Sequence, residues 1–150
     1  SANLILKTDE PIESSEDKNM SAELSFLTYT IVLTIFLWVP YILNLISVGG
    51  LINAVSYPEN PAPLAGWAQR LKAAHYNAVE NLVAFAPLVI IVEISGISSG
   101  ATALCCAVYF ITRIVHALSY TFAIPWLRTI SFAISFFAML GIVYQILTAF

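Results

Sequence analysis

Four apolar stretches, each long enough to cross a hydrocarbon layer as a helix, leave this chain few ways to fold. They run from about Glu23 to Val48, Trp67 to Ser95, Ala101 to Phe122 and Pro125 to Thr148. Crossing a layer of roughly 30 Å takes about 20 residues at about 1.5 Å each. Backbone polar groups in lipid must bond within their own segment, so such stretches become helices. With 10% charged residues and a mean hydropathy of +0.85, the composition is that of a membrane protein, since soluble domains carry about 25% charge. The expected fold is therefore all-α and integral to the membrane: a four-transmembrane-helix up-down bundle over residues 22–150, preceded by a polar tail at 1–21.

The connectors support this order. "GGLINAVSYPENPAPLAG" holds three prolines with glycines at both ends and is expected as a loop. "SGISSG" is a tight link between antiparallel neighbours. Pro40 and Pro87 fall inside the first and second helices and are expected to kink them, whereas Pro125 takes the first turn of the fourth, where proline is favoured. An even number of helices returns both termini to one side. Arg70, Lys72 and Arg128 share the opposite side, which the positive-inside tendency assigns to the cytoplasm or its equivalent.

Five of the nine acidic residues lie in the first seventeen positions. That tail lacks the apolar content of a core element, and Met20 reads as a natural start behind it. The tail is expected either as an extension or as the point where the chain joins a larger membrane complex. Without it the chain is almost neutral, so nothing in its charge points to a nucleic-acid partner or a polybasic lipid patch. Membrane lipid is the expected surrounding. Cys105 and Cys106 are adjacent on one helix and cannot bridge each other without strain; they read as small buried apolar residues.

Polar chemistry concentrates in "RLKAAHYNAVEN", residues 70–81. On a helix, Arg70, Asn77 and Asn81 share a face, Glu80 stands to one side and His75 points the other way. On the third helix Arg113, His116 and Tyr120 form a stripe, and Arg128 opens the fourth helix at the same end. Charged groups inside a membrane cost about 2.5–3.5 kcal/mol each on insertion scales, so they normally face protein or a water-filled cavity. One reading has Arg113 paired with Glu80 as a structural tie, and the two asparagines as links between helices. The other has these groups lining a cationic pocket for a small anionic or polyfunctional ligand. No nucleophile is paired with a base, and no metal-ligand spacing or glycine-rich phosphate loop occurs. Any chemistry must then use a reactive atom from a bound cosubstrate. Lys72 and Glu93 read as solvated interface residues, and Trp67 and Trp126 as interface anchors.

"RLKAAHYNAVEN", followed by "ALCCAVYFITRIVHALSY" and "IPWLR", resembles the membrane-associated proteins in eicosanoid and glutathione metabolism, the MAPEG family. The likeness extends over about residues 22–149, and "GWAQRLKAAHYNAVENL" is most similar to the bacterial branch. The resemblance implies a homotrimer of four-helix subunits with glutathione, as cosubstrate, between adjacent subunits near the cytoplasmic face. It further implies that Arg70, Asn77, Glu80, Arg113 and His116 bind glutathione, and that Arg128 and Tyr120 act on its sulfur. The implied activity is a glutathione-dependent transferase or peroxidase for hydrophobic electrophiles. Two departures stand out: Ala73 and Tyr76 occupy places where the eicosanoid synthases carry further arginines, and "YILNLISVGG" lacks the arginine they place at the end of helix one. An eicosanoid substrate is therefore not supported. The departures and the acidic tail motivate a second expectation, a non-catalytic accessory or structural subunit of a larger membrane complex. A binding protein for another anionic amphiphile is a third.

Overall fold

The computed structural model describes residues 19–150. The acidic stretch at 1–18, and with it the expected contact to a larger complex, lies outside the described residues. Four helices follow in order: α1 (Ala22–Val55), α2 (Gly66–Ile94), α3 (Gly100–Thr121) and α4 (Pro125–Thr148). All four are long and apolar enough to cross a membrane, and no strand occurs among the described residues.

Hydrogen bonds at the two ends fix the up-down order. At one end Ser21, just before α1, donates to Glu93 Oε2 near the end of α2 at 2.8 Å. Thr102 in the first turn of α3 donates to Glu23 Oε1 at 2.5 Å. At the other end Asn44 Oδ1 accepts the Ala65 N–H that precedes α2 at 2.9 Å, and Arg70 reaches the last residue of α3. Glu93 is thus half-buried and bonded rather than solvated, because the start of α1 covers it. α1 packs on α2 and α3, and α4 on α3 and α2, while α1 and α4 do not meet.

The core is apolar in the ordinary way. Leu27, Phe85, Val89, Tyr109, Met139 and Ile142 form its buried centre, with the Phe85 and Tyr109 rings stacked 3.8 Å apart at 13°. Large apolar side chains such as Phe36, Val83, Leu104 and Phe137 lie exposed on the outside, where lipid tails suit them. Gly141 lets α3 and α4 close up, since a Cβ there would stand 2.8 Å from Cys105 Sγ.

Three junctions differ from expectation or refine it. α1 does not stop at the glycine pair; Gly50 adopts φ 79° and ψ 160°, and the apolar "LINAV" then continues as helix to Val55. The loop is correspondingly short, 56–65. Pro40 and Pro87 both lie within continuous helix. The α3 start is a reciprocal capping box between Ser99 and Thr102. Its end is a Schellman motif: Ile124 N–H donates to Ser119 O at 2.8 Å and Ala123 N–H to Tyr120 O at 3.2 Å. The residue in the left-handed position is Ala123, at φ 59°, where glycine is the usual occupant.

Candidate functional site

That tight reversal matters because it folds α4 back over the last turn of α3. Arg128, in the first turn of α4, sets its guanidinium carbon 4.8 Å from the centre of the Tyr120 ring. Tyr120, Arg128 and Arg70, with Ala123 and Pro125, line one cavity of about 160 Å3. Arg70 is held there by its own bond: Nε donates to the Thr121 carbonyl at 2.9 Å, one of the carbonyls that a helix end leaves without an intrahelical partner. Two guanidinium groups and a phenol from three helices therefore meet at a single end of the bundle. An unpaired carboxylate or thiolate is what such a cationic cavity stabilises.

A second polar level lies deeper. Arg113 is 3% exposed, and its Nη2 donates to Asn77 Oδ1 at 2.7 Å. Its Nε and Nη1 have no partner among the described residues, nor do the Tyr109 hydroxyl and His116 Nδ1. Arg113 consequently does not pair with Glu80, which is exposed. Helical periodicity set Glu80 to one side of the face that holds Asn77, and it is Asn77 that turns toward Arg113 while Glu80 turns outward. His116 is buried and joins the two levels: its ring meets Tyr120 edge-on at 5.6 Å and Phe132 of α4 at 6.0 Å. Buried polar atoms without a protein partner are where ordered water or a ligand group bonds.

Of the seven residues singled out from sequence, Arg70, Tyr120 and Arg128 share the cavity. Arg113 sits beneath it with Asn77, and His116 lies against Tyr120. Glu80 alone stands apart, on the outer surface of α2. The other polar side chains of α2 have local partners. His75 Nδ1 is 2.9 Å from the Tyr41 hydroxyl of α1, and Asn81 donates within its own helix to the Asn77 carbonyl, so it does not link helices. Lys72 lies 5.7 Å over the Tyr76 ring.

Two participants were missed from the sequence. Tyr109 precedes Arg113 by four residues and extends its stripe downward, a spacing visible in the sequence. Thr121 contributes only its backbone carbonyl, for which no side-chain pattern exists. Among the described residues no cluster of histidine, cysteine and acidic side chains is arranged to hold a metal.

A search of curated proteins finds no match to this chain. The family model described as "MAPEG family" matches residues 27–148. Together with the four spanning helices, the match makes this an integral, multi-pass membrane protein. It covers all three helices that build the cavity, and on that match the chain belongs to the MAPEG family.

Proposed function

We propose that this MAPEG protein is a membrane-bound, glutathione-dependent transferase or peroxidase for hydrophobic electrophiles, of the bacterial type. The observation that carries the reading is the joint lining of one cavity by Arg70, Tyr120 and Arg128, with Arg128 4.8 Å over the Tyr120 ring. Glutathione would bring its thiol to this point. An ordinary thiol ionises near pH 8.5, which leaves about 3% thiolate at pH 7. A guanidinium that lowers this to about 6.5 contributes roughly 2.7 kcal/mol and makes thiolate the main form. Arginine suits the task because it keeps its own proton. The thiolate sulfur bonds to the electrophilic carbon, the leaving group departs with its bonding electrons, and the thiol proton passes to water. Tyr120 donates a hydrogen bond to the sulfur.

Asn77 and Glu80 hold the polar groups of the tripeptide, with Arg70, Arg113 and His116 completing the site, Arg113 by way of Asn77. The exposure of Glu80 favours a site shared between subunits of a homotrimer, at the cytoplasmic or equivalent face. The test is conjugation of a chromogenic nitroaryl chloride in detergent. Arg128→Ala is expected to lower turnover at pH 7 by roughly 25-fold, the fall from about 76% to about 3% thiolate, and Tyr120→Phe by less. Absent turnover, or turnover that Arg128→Ala leaves unchanged, contradicts the proposal.

A specific observation favours a second reading, an accessory subunit. Asn44 of α1 spends its side-chain oxygen on the Ala65 N–H before α2, and no cation stands beside it in "YILNLISVGG". Purification in mild detergent separates the two readings: a free trimer without a stoichiometric companion removes the second.

A further inference from the structure

Lys72, His75 and Tyr76 of α2 share a flank that the cavity does not use. Arg70 stands about 160° round the helix from Lys72, lining the cavity and bonded to the Thr121 carbonyl. Glu80 lies about 140° from His75, beyond Tyr76. The flank is organised from beneath by α1. Tyr41, 7% exposed, brings its hydroxyl within 2.9 Å of His75 Nδ1. That hydroxyl has no other partner among the described residues, so it donates to Nδ1. The proton of the neutral ring then stands on Nε2, which has no partner among the described residues, on a half-buried side chain. Tyr76 beside it is 54% exposed, the two rings 6.1 Å apart, and Lys72 Nζ lies 5.7 Å over the Tyr76 ring. An ammonium, an imidazole N–H and a phenol O–H thus open outward within about one turn of helix. Such donors take an anion or carbonyl oxygens.

Depth decides which ligand fits. Lys72 stands about 31 Å along α2 from Glu93, at about 1.5 Å per residue, which matches a hydrocarbon core of roughly 30 Å. Glu93, bonded to Ser21 just before α1, marks the far boundary of that core, so Lys72 marks the near one. His75 and Tyr76 sit about 4.5 and 6 Å deeper. Helical side chains lean toward the helix N-terminus, here outward to the headgroups. A phospholipid presents its groups in the same order: phosphate outermost, glycerol ester carbonyls next, acyl chains below. Val79 and Val83, 42% and 71% exposed, continue the flank within about 20° of Lys72 and suit an acyl chain. We propose that this flank binds one anionic phospholipid. Lys72 pairs with the phosphate, while His75 Nε2–H and the Tyr76 hydroxyl donate to the ester carbonyls. Basic pockets between membrane helices hold lipid headgroups in this way. The assignment does not depend on the transferase reading.

The test is native mass spectrometry of the delipidated protein in detergent, titrated with three lipids of equal chain length. These are phosphatidylglycerol, diacylglycerol, which lacks the phosphate, and an ether-linked phosphatidylglycerol, which lacks the carbonyls. The parent protein is expected to hold one phosphatidylglycerol per chain and to bind the other two more weakly. Lys72→Gln should weaken phosphatidylglycerol roughly fivefold and leave diacylglycerol unchanged. Tyr76→Phe should weaken phosphatidylglycerol but not its ether-linked analogue. Should either variant fail to fold, the parent's ranking of the three lipids decides. Equal binding of all three overturns the proposal, because lipid that merely surrounds the bundle makes no such distinction. Displacement of phosphatidylglycerol by inorganic phosphate at equal concentration leaves only an anion site and overturns the lipid assignment. So does crosslinking of Lys72→Cys between chains by a short bifunctional thiol reagent, which would seat a second copy on this flank.

Discussion

At the residue scale the decisive contact is a buried cation with one partner among the described residues. Arg113 is almost wholly enclosed and gives one N–H to Asn77. Hydrogen bonds to charged groups contribute about 1.5–3 kcal/mol, and removing one partner strands the other. Asn77→Ala is therefore expected to cost about 1.5–3 kcal/mol in stability. Replacing the arginine as well relieves the stranded charge, as replacing buried ion pairs by apolar residues often does. The double variant Asn77→Ala/Arg113→Met should then melt above Asn77→Ala alone in detergent without glutathione. A double variant that melts lower would mean that Arg113 has other support. The same pair shows what periodicity can and cannot reveal. Residue spacing set Glu80 to one side of the face that Asn77 shares with Arg70, but it could not say which side of α2 the third helix packs against, and that decides which of them Arg113 meets.

At the element scale, α3 and α4 are held close by a missing side chain. A Cβ at position 141 would meet Cys105 Sγ at 2.8 Å. Gly141→Ala is expected to cost about 1–3 kcal/mol by overpacking, and Cys105→Ala should restore most of it. Thermal unfolding of the two single variants and the double measures the coupling; additive losses would contradict a direct clash. Helix extents were mostly legible, because apolar runs, Pro125 and the "SGISSG" link each act locally. Two junctions were not. Gly50 looked like an end, yet its kink is followed by apolar residues that resume helix. Ala123 takes a left-handed conformation that costs a residue with a Cβ about 1–2 kcal/mol, so nothing in its identity signals the turn that brings Arg128 to Tyr120.

At the scale of the whole molecule, two polar ends bracket an apolar bundle. One end, around Glu23, Thr102, Ser21 and Glu93, ties three helices together. These partners lie 79 and 72 positions apart, beyond the reach of any local pattern. The other end gathers Arg70, Tyr120 and Arg128 around a cavity, and its convergence was legible because membrane topology forces those three positions to one side. Function on this account belongs to the second end, where a guanidinium is free to steady an anion. The measurement that tests this most directly is the ultraviolet absorbance of glutathione thiolate on titrating the detergent-solubilised protein at pH 7. The expected result is a saturable thiolate band with the parent protein and none with Arg128→Ala. A parent protein that raises no such band, or a variant that raises an equal one, would contradict it.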